Sequence, residues 1–187
     1  MTMIDPILQS TAALTLALVF GIAGIGKVMA WAELEGVVRN YRIAPGFLAP
    51  LISRVLPPVE ILVTIAVLVP ATRALGGLAA LVLLTVFAIA MGINLVRGRT
   101  DIDCGCFRST LRQNLSWWLP VRNAILAVLA LGCLMTPVER DLGWADSFVI
   151  VMASLVLLLS YLSTSYVTLR RPPTFEENYE RTAPRAG

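Results

Sequence analysis

Residues 74–96 read ALGGLAALVLLTVFAIAMGINLV, a run with no charged side chain. At 1.5 Å per residue such a helix is about 34 Å long, enough to cross a hydrocarbon core of about 30 Å. Inside lipid a backbone must satisfy its own hydrogen bonds, so the run reads as a transmembrane helix. Four further apolar runs flank it, at Ile7–Met29, Leu51–Val69, Leu119–Thr136 and Ser147–Leu169. The predicted fold is therefore all-α. It is a polytopic integral membrane helix bundle of about five transmembrane helices, a four-helix core plus a C-terminal helix. Residues 1–170 form one transmembrane domain. Arg170-Arg171-Pro172-Pro173 ends the last span, and 171–187 read as a polar, disordered tail.

Composition agrees. Of 187 residues 57% are hydrophobic and only 14% charged, against about a quarter charged in soluble domains. The net charge is +3, but the cations lie beside spans rather than on one polar face, which argues against nucleic acid as a partner. There is no histidine, which removes His-based acid–base catalysis, Ser-His triads and His metal ligands. Three cysteines cannot form a framework of structural disulfides. The first run has only Asp5 before Lys27 as a charge and no small-residue cleavage pattern, so it reads as a retained span.

Within the spans a few residues break the apolar pattern. Gly21, Gly24 and Gly26 allow close helix approach, and Lys27 is expected to snorkel to the headgroups. Gly21–Lys27 formally matches the start of a phosphate-binding loop, but no Ser or Thr follows the lysine and the surroundings are apolar. Trp31–Tyr41 suits a short interfacial helix, ended by Pro45-Gly46. Pro57-Pro58 predicts a kink or a broken first turn in the second span. Glu60 follows about 14 Å along the axis from Leu51, near mid-membrane. An intramembrane carboxyl is a functional candidate, as a proton acceptor. Equally, it could cap backbone groups freed by the prolines or pair with an arginine of another helix. Trp117-Trp118 suits an aromatic belt, Pro120 a helix start, and Arg122-Asn123 the first turn of the fourth span.

Five spans put the termini on opposite sides. One side collects Lys27, Arg39, Arg42, Arg54, Arg97, Arg99, Arg108, Arg112, Arg122 and the four tail arginines; the other has Arg73 and Arg140. The positive-inside rule then places the N-terminus outside, in the periplasm of a bacterial inner membrane. It places the C-terminus and the loop after Val96 on the cytoplasmic side.

That loop, Arg97-Gly98-Arg99-Thr100-Asp101-Ile102-Asp103-Cys104-Gly105-Cys106-Phe107, is where chemistry is concentrated. A disulfide needs Cα atoms about 4.4–6.8 Å apart, so a bond between Cys104 and Cys106 requires a bend at Gly105. The small ring would be strained, as in labile or catalytic disulfides. Arg97, Arg99 and Arg108 favour the thiolate; Asp101 and Asp103 oppose it. The pair is a candidate redox disulfide, with Arg97 and Arg99 tuning the thiolates. The alternatives are idle thiols or soft-metal ligation, for example of Cu(I) by Cys104 and Cys106 in a transporter. No other metal site and no cofactor is identified. Cys133, about 21 Å along its helix from Leu119, reads as a small core residue, or less simply as a relay thiol.

Three stretches resemble the MauE family, within the MauE/DoxX-like group of membrane proteins. They are Gly26-Lys27 through Tyr41 to Pro45; Leu56-Pro57 with Glu60; and Asn94–Arg99 with Asp101–Phe107, followed by Arg122-Asn123. Arg108 stands where the family pattern has glycine. The resemblance implies a role in maturing methylamine dehydrogenase, whose disulfide-rich small subunit is periplasmic, beside a thioredoxin-like MauD-type partner. The implied function is a membrane thiol–disulfide relay; the alternatives are a non-catalytic chaperone or docking protein and the soft-metal transporter. A quinone-coupled thiol oxidase is a further reading, though the sequence specifies no quinone pocket. A periplasmic substrate and a cytoplasmic cysteine loop are reconciled if the loop dips into the bundle and is reached from the far side, or else if one span is miscounted.

Overall fold

A computed structural model describes residues 3–100, 102 and 115–167, with side chains given to residue 163. The described residues form six helices: α1 (Pro6–Met29), α2 (Trp31–Tyr41), α3 (Ala49–Leu68), α4 (Arg73–Val96), α5 (Trp118–Gly132) and α6 (Trp144–Val167). The segments Pro6–Met29, Gly46–Leu68, Pro70–Val96 and Trp144–Ser163 are long and apolar enough to cross a membrane. The protein is an all-α, multi-pass membrane bundle. The proposed tail, 171–187, lies outside the described residues.

Asp5 starts α1: its Oδ1 accepts from Ile7 N–H at 2.8 Å, and Pro6 needs no donor there. Helix α3 begins earlier than Leu51, with Pro50 as its starter, and runs on through Pro57 and Pro58. The two prolines therefore lie inside a continuous helix rather than in a broken first turn. Helix α5 differs most from expectation. It ends at Gly132 and not near Thr136, so it is about 22 Å long. Pro137 cannot continue a helix and biases Thr136 to extended backbone. Thr136–Pro137 instead pairs in parallel with Met3–Ile4.

Helix α1 is central, packing on α3, α5 and α6, while α4 packs on α3 and α5. Leu16, Phe20, Val63, Ala80, Leu84, Leu126 and Ala130 form the main core. Most of α6 faces outward, and Ser154 Oγ donates to Thr11 O at 3.3 Å where it meets α1. The legs α1, α3, α4, α5 and α6 alternate in direction. The α3–α4 turn and the α5–α6 connection sit at the Met3 end: Arg73 bonds Gln9 at 3.2 Å and Gln9 bonds Met135 O at 2.7 Å. Helix α2 and the end of α4 sit at the Lys27 end, tied by Arg97 to Arg42 O at 3.3 Å.

Three helix contacts depend on missing side chains, the tightest at Gly76, where a Cβ would lie 2.6 Å from Val67 N. A Cβ on Gly77 would lie 2.7 Å from Cys133 Cβ, and one on Gly24 3.1 Å from Ile61 Cγ1. Gly21 also faces α3, whereas Gly26 faces open space. The cluster of glycines in α1 is thus only partly a packing device.

Candidate functional site

Gly24 brings α1 against the Pro57–Ile61 face of α3, with Glu60 Cβ 3.3 Å from where its own Cβ would be. One turn on, Lys27 reaches across and donates from Nζ to Glu60 Oε1 at 2.5 Å. Both residues are buried, at 8% and 0% exposure. Lys27 therefore does not snorkel to the headgroups. An unpaired carboxylate about 16 Å inside α3 would be very costly, and an opposite charge beside it offsets that cost. Glu60 pairs with this lysine, where the sequence reading had suggested an arginine. Lys27 Nζ also stands 5.3 Å from the centroid of the Phe87 ring, a cation–π distance. Glu60 Oε2 has no hydrogen-bond partner among the described residues.

The pair forms part of the wall of a cavity of about 270 Å³. Phe20, Leu84, Phe87 and Met91 supply much of its apolar surface, and Asn123 and Tyr161 add polar atoms. Helix α2 covers it. Leu34, Val37, Val38 and Tyr41 line the cavity, while Glu33 and Arg39 are exposed. The amphipathic stretch read as an interfacial helix thus also roofs an internal space.

The arginines expected to tune thiolates have structural partners. Arg99 Nη1 donates to Asn94 Oδ1 at 3.1 Å and to Tyr41 O at 3.5 Å. Asn94 is fully buried and donates to Ala90 O at 3.1 Å. Arg97 and Arg99 together fasten the end of α2 to the end of α4. Just beyond, Leu115 N–H donates to Ile102 O at 3.2 Å, so these two residues meet beside the end of α4. Leu115 packs there with Met91, Leu95 and Leu119. Cys104, Gly105 and Cys106 fall between those two residues and lie outside the described residues, as do Asp101, Asp103 and Arg108.

Arg122 and Asn123 are both 4% exposed, and the Arg122 guanidinium stacks 4.1 Å from the Tyr161 ring centroid. Cys133 is a free thiol, 1% exposed, and packs in the main core. It is the small core residue expected. Sequence reasoning missed Lys27 as the partner of Glu60, and Tyr161 altogether. For Lys27 a signal existed: it is the sole charge within the first apolar run, as Glu60 is deep in the second. Tyr161 carried none, because a tyrosine in an apolar helix is unremarked.

Residues 5–136 match the family described as methylamine utilisation protein MauE. The chain belongs to the MauE family. Curated relatives agree. The chain is 40% identical over 162 residues to the methylamine utilization protein MauE of Paracoccus versutus, covering 86% of this chain and 87% of the relative. It is 38% identical over 164 residues to that of Paracoccus denitrificans, covering 87% and 88%. It is 37% identical over 155 residues to that of Methylophilus methylotrophus, covering 82% of each. No solved structure matches the chain. The MauE match covers α1 to α5 and stops before α6. The stretches that carried the resemblance converge in the fold: Lys27 meets Glu60, Arg99 meets Asn94 and Tyr41, and Asn123 lines the same cavity.

Proposed function

We propose that this protein is a membrane thiol–disulfide relay that serves disulfide formation in a periplasmic partner during methylamine utilisation. By family, that partner is the methylamine dehydrogenase small subunit, reached through a thioredoxin-like MauD-type protein. The observation that carries the reading is the pairing of MauE membership with Cys104-Gly105-Cys106 in a charged segment rooted at Ile102 and Leu115. Idle cysteines are generally buried among apolar side chains, as Cys133 is.

The exchange conserves atoms and electrons. A thiolate of the partner attacks one sulfur of the Cys104–Cys106 disulfide and frees the other as a thiolate. The partner's second thiolate then attacks the mixed disulfide, which oxidises the partner and leaves Cys104 and Cys106 as two thiols. Run in reverse, the same steps reduce the partner. Arg97 and Arg99, at the root of the loop, contribute positive charge that favours thiolate. The seven described cations of the Lys27 end (Lys27, Arg39, Arg42, Arg54, Arg97, Arg99 and Arg122) against Arg73 and Arg140 favour a bacterial inner-membrane orientation with that end in the cytoplasm and the N-terminus in the periplasm, so exchange with a periplasmic partner requires that the cysteine pair be reached from the far side of the bundle.

The test is substitution of each cysteine. Cys104→Ser and Cys106→Ser, expressed at normal levels, are expected to abolish partner disulfide formation, and one of the two to trap a mixed disulfide with the thioredoxin-like protein. Intact partner disulfides in both variants would leave a docking or chaperone role in place of a relay.

A further inference from the structure

The cavity under α2 has no part in the exchange described above, and Glu60 in its wall has an oxygen with nothing to accept. Glu60 is fully buried, its Oε1 takes Lys27, and its Oε2 has no hydrogen-bond partner among the described residues. Leaving such an oxygen unmatched in a low-dielectric interior is unfavourable. Lys27 Nζ carries three protons, so beside its bond to Glu60 it has more to donate.

We propose that this cavity binds the ring of a membrane-soluble quinol, with one ring hydroxyl donating to Glu60 Oε2 and accepting from Lys27 Nζ. Three observations and one chemical argument converge on that class. An apolar cavity of about 150 Å³ accepts benzene, so one of about 270 Å³ accommodates a substituted ring. Aromatic side chains in the wall, Phe20, Tyr41, Phe87 and Tyr161, give a flat ring stacking and edge contacts. Ile43 and Val86 line the cavity and are also 43% and 53% exposed, so the space reaches the outer surface of the bundle. A tailed ligand can therefore enter from lipid and leave its tail outside. Finally, a hydroxyl is donor and acceptor at once. A phospholipid acyl chain offers neither function, a fatty-acid carboxylate would sit against Glu60 with like charge, and a bare ketone cannot donate to Oε2. Binding of this ligand does not depend on the cysteine relay, and the test below does not involve the cysteines.

The full chain in phosphatidylcholine nanodiscs is titrated with decylubiquinol kept reduced. Ligand retained through size exclusion and the unfolding midpoint are both read. Saturable retention near one quinol per chain and a raised midpoint are expected. Decylbenzene, as apolar but without hydroxyls, is expected to compete poorly. Glu60→Gln should weaken retention about tenfold, the scale of one lost hydrogen bond to a charged group. Ala90→Phe, which adds bulk to the cavity wall and leaves both charged residues in place, should remove the saturable component while helical content is kept. Retention that only tracks the lipid-to-ligand ratio overturns the proposal. So does equal competition by decylbenzene, which would make the cavity a groove for acyl chains. The competition uses the unaltered chain, so the outcome stands even where a variant fails to fold.

Discussion

At the end of the bundle carrying Met3, backbone hydrogen bonds, Gln9 and the exposed or half-buried Arg73 and Arg140 do the joining. Met3–Ile4 pairs with Thr136–Pro137, Val138 N–H donates to Ile4 O at 3.0 Å, and Gln9 bridges Met135 and Arg73. Helices there touch through glycine: Gly76 against Val67, Gly77 against Cys133. At the Lys27 end α1 and α3 still meet closely at Gly24, but a cavity lies beside them and a buried ion pair spans the two helices. Close packing needs little polar chemistry, because dispersion and burial suffice. A cavity in a membrane bundle forgoes that packing, and the charges beside it are retained at a desolvation cost. The contrast separates a closely packed end from one that keeps an internal cavity.

The largest effect expected is at the open end. Lys27→Met strands Glu60 without its cation, and Glu60→Met strands Lys27. Each single change should cost about 3–5 kcal/mol of stability, seen as a large fall in the unfolding midpoint in detergent. The double change Lys27→Met with Glu60→Met removes both charges and should recover most of that loss. Single variants with the midpoint of the unaltered chain would mean that the pair contributes little and that the two ends differ less than the packing implies.

An intermediate effect distinguishes the ends by volume. Gly77→Val places a Cβ 2.7 Å from Cys133 Cβ and 3.1 Å from Ala130 O, where backbone would have to move. Overpacking of that kind costs about 1–3 kcal/mol. Ala90→Val adds volume beside the cavity and is expected to be tolerated. Equal destabilisation in the two, measured by thermal unfolding, would erase the distinction between a packed and an open end.

Much of this was legible in the residues. Charge-free runs of bilayer length are a strong signal, because lipid leaves the backbone only helices or closed barrels; hence α1, α4 and α6 fall close to where they were read. The short α5 was misjudged because apolar residues continue to Met135, while Pro137 and the partnership with Met3–Ile4 decide where helix gives way to extended chain. Lys27 was misplaced for a related reason. A lysine near a helix end snorkels when nothing better is in reach, and what lies in reach is a tertiary fact, here set by Gly24 admitting Glu60. The cavity was illegible: its lining is drawn from all six helices, and no local pattern encodes an unfilled volume. The Cys-Gly-Cys segment stood out in the sequence as a charged, thiol-bearing break between apolar runs, and it lies outside the described residues.

The smallest effect is a control on the ion pair. Helix α2 carries a second carboxylate–cation contact, Glu35 with Arg39, at 2.7 Å. Its length is like that of the Lys27–Glu60 bond, but Arg39 is 56% and Glu35 31% exposed. Water solvates both partners when they separate, salt screens them, and holding two long side chains together costs rotamer entropy. Glu35→Gln should therefore change stability by less than about 0.5 kcal/mol. Unlike Lys27→Met, whatever it does change should vanish in high salt. If the unfolding midpoints of Glu35→Gln and Lys27→Met fell together, distance rather than burial would govern these pairs, and the special character assigned to the Lys27 end would go.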